Sequence, residues 1–132
     1  MLVPVEKLRA LAEGILTGNG TPPEYAKIQA GLFVDAQMRG IPSHGLLRLR
    51  RIIERIRAGL AVPGASGAHT WSSRNFLSVD GECGLGPVVV QSALDAVIPR
   101  AREDGIAIAA IRNCNHLGAL AYYAEQVAQQ GL

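Results

Sequence analysis

The residues of this chain best suited to chemistry fall in two short stretches. The first is Ser43-His44-Gly45, with Arg48 four positions beyond the histidine. Imidazole is the side chain that exchanges protons near neutral pH. A guanidinium can clamp a carboxylate through two parallel hydrogen bonds. Together they suit a small carboxylate-bearing substrate that must gain or lose a proton. If Ser43 caps a helix, His44 falls in its first turn, where the partial positive charge favours neutral imidazole and attracts anions. Arg48, at i+4, would then project from the same face. The plain alternative is a serine that only caps and a histidine that only meets solvent.

The second stretch is Asn113-Cys114-Asn115-His116-Leu117-Gly118, directly after the apolar run Ile106–Ile111. Open parallel sheets bind ligands outside the carboxyl ends of their strands. Asn113, Asn115 and His116 are polar groups delivered to such an edge, although asparagines also build ordinary turns. Cys114 and His116 lack the spacing of a metal site, and no metal is expected. His69 follows a turn with no partner in view and reads as structural or exposed. A third stretch, Asp80 to Val88, is glycine-rich, but its spacing is G-x-x-G-x-G rather than the dinucleotide fingerprint. No acidic residue ends the next strand. Its glycines are read as serving a tight turn and close packing.

The elements that must position these residues are legible from periodicity. Residues 4–17 read as a helix. Thr21 is placed as N-cap of a second helix, with Pro22 at its first position and Glu24 closing a capping box. Tyr25, Ile28, Leu32 and Met38 are assigned to its inner face, and Gly40 to its end. Ser43 is expected to cap a third helix running to about Ala58. Then the character changes. Residues 69–73 and 75–80 read as short strands joined by a turn near Ser73–Asn75. A helix starts at Pro87, with Pro99 expected to kink or shorten it. Ile106–Ile111 is expected as a strand buried on both faces. Ala119–Gln130 closes the chain as a helix. The fold class expected is α/β: a three-helix unit at 1–60, then a βαβ segment of a mainly parallel sheet at 61–132.

Bulk properties narrow the function. The chain has 132 residues, 48% hydrophobic and 18% charged, and a formal net charge of +2. That charge gives no reason to expect nucleic acid as a partner. Arg48, Arg50, Arg51, Arg55 and Arg57 cluster, but Glu54 interrupts them and they read as a solvated helix face. Cys83 and Cys114 suit free thiols in a reducing compartment. No window approaches a membrane span and the first residues do not form a secretory signal, so a cytoplasmic location is expected.

The stretches 43–60, 79–89 and 106–132, in this order and at these intervals, resemble the malate/L-lactate dehydrogenase family of NAD(P)-dependent 2-oxoacid reductases. That family is unrelated to the Rossmann-type lactate dehydrogenases. The resemblance implies a sheet of non-Rossmann topology, a nicotinamide cofactor (NAD or NADP), and hydride transfer at a carbon next to a carboxylate. It implies His44 as proton donor or acceptor, Ser43 as its relay partner, Arg48 as the carboxylate ligand, and His116 as a second active-site histidine. Asn115 is taken with Arg48 as a substrate contact. Leu117 and Cys114 depart from the family's common phenylalanine and serine. Members are more than twice as long, so the resemblance implies an N-terminal portion, either homo-oligomeric or completed by a C-terminal half. A non-catalytic interaction module, or a small-anion-binding module, is the alternative.

Overall fold

The computed structural model describes residues 2–132, which divide into two compact units, one ending at Gly64 and the other running from Ala65 to Leu132. The first unit is helical: α1 (Val5–Thr17), α2 (Pro23–Met38), a single 3-10 turn (Pro42–His44) and α3 (Leu47–Arg57). The second holds β1 (Ala68–Ser73), β2 (Phe76–Asp80), α4 (Gly86–Asp104), β3 (Ile108–Arg112) and α5 (Ala121–Ala128).

In the first unit α2 is the central element. Its run of small and apolar residues buries Ala26, Ala30, Leu32, Phe33, Val34 and Ala36 almost completely, so no narrow apolar stripe is needed. Gln29 is buried with them. Met38, assigned above to the inner face, is instead 65% exposed at the helix end. The capping box at Thr21 does not form. Pro22 is the N-cap, held extended at ψ 142° because another proline follows it, and α2 begins at Pro23. Thr21 is buried two positions before the helix, and its hydroxyl has no hydrogen-bond partner among the described residues.

The third helix is also shorter than expected. Gly45 adopts φ −92°, ψ −145°, which is not helical, and splits the segment into the 3-10 turn and α3. Ser43 therefore caps nothing, and α3 starts with Leu46 as N-cap without a side-chain cap. Ile52 and Ile53 anchor α3 in the core, while Arg50, Arg51 and Arg57 are exposed, as a solvated face requires.

In the second unit β1 and β2 form an antiparallel hairpin turning at Arg74-Asn75, and β2 pairs in parallel with β3 across α4. The sheet order is β1-β2-β3, so the sheet is mixed rather than mainly parallel. Leu77 and Val79 are fully buried and pack with Val89, Ala93 and Val97 of α4. Pro99 does not shorten α4, which runs unbroken for 19 residues and ends on Gly105 in the left-handed conformation, φ +81°. The strand β3 is not buried on both faces. It lies at the sheet edge and alternates between exposed and half-buried, with Ile108 50% exposed. Only Ala109 and Ile111 turn toward the core under α4.

Candidate active site

Each candidate cluster is built within its own unit. In the helical unit the 3-10 turn brings Ser43, His44 and Arg48 together. Ser43 Oγ lies 3.1 Å from His44 Nδ1. Arg48 Nε donates to the Ser43 carbonyl at 2.7 Å, folding the guanidinium back over the turn from the first turn of α3. His44 and Arg48 are half-buried and Ser43 is exposed. No α-helix begins at His44, so no helix N-terminus acts on its ring as the sequence led one to expect. The association with Arg48 survives through the backbone instead. Gly45 explains how the turn is seated: a Cβ there would stand 2.8 Å from Gln37 Oε1 and 3.2 Å from the Phe33 carbonyl oxygen. The third member of the Ser-His-Gly triplet is thus the one that lets the histidine turn rest against the α2 backbone. The adjacent hollow, about 410 Å³, is lined by Val3, Leu8, Gln37, Pro42, Leu46 and Leu47, and neither His44 nor Arg48 opens into it.

In the α/β unit two loops leave the carboxyl ends of the paired strands β2 and β3 and bind each other. Gly81 N–H donates to the Arg112 carbonyl and Cys83 N–H to the Asn113 carbonyl, both at 2.7 Å. Gly84 N–H donates to the Gly81 carbonyl at 2.7 Å, closing a turn whose central residues, Glu82 and Cys83, have φ of +50° and +58°. Positive φ at both positions is the signature of a type I′ turn, which ordinarily calls for asparagine or glycine. Asn113 is also left-handed, at φ +53°. Glu82 N–H donates to Asp80 Oδ1 at 3.1 Å. The amides of Gly81, Glu82, Cys83 and Gly84 are therefore all committed inside the protein. A glycine-rich loop in this state offers no cradle for a pyrophosphate, and its residues do not fit a cofactor's phosphates.

Asn115 is buried. Its side-chain nitrogen donates to the Cys83 carbonyl at 2.6 Å and the Gly84 carbonyl at 3.1 Å, and its backbone N–H donates to Gly84 at 3.0 Å. Its visible work is to tie one loop to the other. His116 is exposed, and its Nδ1 accepts the Gly118 N–H at 2.9 Å. A neutral ring held this way carries its proton on Nε2. Behind it, Tyr123 of α5 donates its hydroxyl to the Leu117 carbonyl, and burial pushes the Tyr123 phenol well above its ordinary value. Burial also raises the Cys114 thiol, which keeps it protonated. Gly86 is placed more tightly than Gly45, since a Cβ there would meet the His116 carbonyl oxygen at 2.3 Å. His69, which had no visible partner, meets Ser92 Oγ through Nε2 at 3.0 Å.

The sequence reading missed Asp80. Its carboxylate accepts from Glu82, from Asn113 Nδ2 at 3.2 and 3.1 Å, and from Arg112 at 3.2 Å. These hydrogen bonds, the Glu82 amide foremost, hold the acid below the usual carboxylate range. Its one sequence signal was an Asp-Gly pair at a strand end.

Residues 3–132 match the family model described as malate/L-lactate dehydrogenase. The chain belongs to the malate/L-lactate dehydrogenase family. It is 37% identical over 130 residues to a malate dehydrogenase of Pyrococcus abyssi, covering 98% of this chain and 36% of that protein. It is 34% identical over 132 residues to an L-sulfolactate dehydrogenase of Methanocaldococcus jannaschii, covering 100% of this chain and 38% of that one. The crystal structure of a dehydrogenase from Sinorhizobium meliloti superposes with a TM-score of 0.95 at 49% identity, covering 99% of this chain and 39% of that chain. This family member thus spans little more than a third of the length of the relatives it matches. Among its described residues no helix is long and apolar enough to cross a membrane.

Proposed function

We propose that this chain carries the proton-transfer and carboxylate-binding part of an NAD(P)-dependent reductase acting on a small 2-oxo, 2-hydroxy or imino acid. The single observation that carries this reading is the Ser43-His44-Arg48 turn, with its 3.1 Å Oγ–Nδ1 contact and its 2.7 Å tie from Arg48. Reduction of a 2-oxoacid needs a hydride at carbon and a proton at oxygen. A nicotinamide cofactor, NADH or NADPH, would supply the hydride chemistry when bound. The glycine-rich loop does not fit its phosphates, because its amides are already hydrogen-bonded within the protein.

The hydrogen bonds suit each histidine, within its own unit, to a different role. An imidazolium donates from both nitrogens. At His44, Nδ1–H can donate to Ser43 Oγ before and after the transfer, so Nε2 is the nitrogen that gives up and regains the proton. At His116, Nδ1 already accepts from Gly118. A second ring proton would break that bond. His116 therefore suits hydrogen-bond donation from Nε2 to a substrate oxygen. Among the described residues Arg48 commits its Nε to the Ser43 carbonyl, which suits its terminal nitrogens to a carboxylate. Asn115 holds the loop that presents His116.

The test is reconstitution. The chain is joined to the remaining segment of a relative, and oxidation of NADH or NADPH is followed with a panel of 2-oxo and cyclic imino acids. Turnover that disappears in His44→Ala but persists in Arg50→Ala is expected. Carboxylate binding without turnover would overturn the enzyme reading in favour of a small-anion-binding module.

A further inference from the structure

The two loops that leave the sheet after β2 and β3 hold three residues in a conformation that side chains avoid, two on the glycine-rich loop and one on the loop that leads to His116. Glu82, Cys83 and Asn113 are all left-handed without being glycine. Such backbone persists only where its surroundings over-determine it, and it concentrates at functional sites. One side chain touches both sides of this arrangement. Asp80, the last residue of β2, pairs in register with Arg112, the last residue of β3. Its carboxylate accepts the Glu82 N–H on the glycine loop and the Asn113 side-chain amide on the other loop, and it meets the Arg112 guanidinium.

We propose that Asp80 is a positioning residue for His116: by gripping Glu82 and Asn113 together it sets the path of the loop that carries the imidazole. It acts through Asn113 and touches no substrate. The proposal deepens the functional reading above and rests on its placing of His116 at the site.

The chemistry requires a carboxylate. Both partners of its oxygens on the loops are N–H donors, and an ionised carboxylate is acceptor-only. Asparagine has the same shape but would turn an NH2 group toward one of those donors. From Asp80 the path to the histidine is short. Asn113 follows Arg112, its carbonyl accepts from Cys83, Asn115 is tied to Cys83 and Gly84, and His116 comes next. Loosening the first link frees the segment in which the Gly118 N–H meets His116 Nδ1.

The experiment is nuclear magnetic resonance on the full 132-residue chain, reading the two ring nitrogens of His116 and the amides of Cys83 and Gly118. The expected result in Asp80→Asn is that the distinct His116 ring nitrogen shifts converge toward an averaged tautomer, and that the Gly118 amide moves, while α4 resonances hold. Asp104→Asn removes a carboxylate elsewhere in the same unit and should leave the His116 ring unchanged. Should Asp80→Asn fail to fold, Asn113→Gly serves instead, removing the gripped amide while accommodating the left-handed backbone. The same convergence is then expected. Unchanged His116 ring shifts in whichever variant folds would overturn the proposal and leave Asp80 a structural tie only. Because the readout is the ring and not turnover, failure here is distinguishable from failure of the reductase reading.

Discussion

Arg48 Nε donates to the main-chain carbonyl of Ser43 at 2.7 Å, so the guanidinium is oriented by the same turn that carries His44. The anchor is a backbone atom, and the planar fork is what lets one nitrogen hold the turn while leaving two more donors on the same plane. Arg48→Lys keeps the charge and loses the fork. In the reconstituted enzyme it should raise KM for carboxylate substrates with kcat less affected, by about 1.5 to 3 kcal/mol, the scale of a hydrogen bond to a charged group. An unchanged KM across the substrate panel would count against the assignment.

His44→Ala should act on the other parameter. A general acid-base group contributes typically about 10²- to 10⁴-fold in rate, or roughly 3 to 5 kcal/mol of barrier. Steady-state kinetics of His44→Ala, Ser43→Ala and the surface control Arg50→Ala separate the cases. Loss of kcat graded in that order is expected, and equal losses in all three would discredit the role.

The two crowded glycines give a prediction about stability. A Cβ at Gly86 would stand 2.3 Å from the His116 carbonyl oxygen and 2.6 Å from that of Asn115, and neither can rotate away as a flexible side chain would. Gly86→Ala should cost about 3 kcal/mol, at the upper end of ordinary overpacking. At Gly45 the closest atom is the end of the Gln37 side chain, which can move, so Gly45→Ala should cost less. Thermal unfolding of both variants checks the order.

How much of this was legible in the sequence depended on range. The helices α1 and α4, the hairpin and the loop glycines follow from local periodicity and turn chemistry, and they stand close to where the sequence puts them. Ser43 misled because a serine before an apolar run looks like a cap. Gly45, two residues on, decides otherwise through its contact with α2, which is a tertiary fact. Thr21 misled because the second proline, not the threonine, sets where α2 begins. The run at 106–111 reads as buried because it is apolar, yet burial depends on what covers each face, and here α4 covers one. Asp80 was invisible because its importance lies in partners up to 33 residues away.

Acid should expose the tie at the far end of the sheet. Arg74, in the β1–β2 turn, grips Asp104 at the end of α4 through bonds of 2.6 and 2.9 Å. Above all it is Arg74 that holds the Asp104 carboxyl below its ordinary value of 3.8. A carboxylate depressed in the folded state stabilises above its unfolded pKa, and that contribution is lost as pH falls through the folded value. The difference in melting temperature between the protein and its Asp104→Asn variant should therefore be constant above about pH 5 and shrink below about pH 4. A difference independent of pH would show that the pair contributes nothing through charge.

The edge of the sheet predicts how the isolated chain behaves. On β3, Ile108 is 50% exposed, and Ile106 just before it is 61% exposed. An apolar edge strand without a neighbour is a template for pairing with another chain, and proteins ordinarily blunt such edges with charge or cover. β3 carries only Arg112, at its end. The 132-residue chain should consequently self-associate in a concentration-dependent way. Ile108→Lys puts a charge on the strand's exposed face without disturbing Ala109 and Ile111, which face the core. Sedimentation velocity on the two forms is the check: the variant should shift toward monomer with its melting transition retained. If both forms sediment as monomers at every concentration, the edge is silent in solution and the association must be sought elsewhere on the chain.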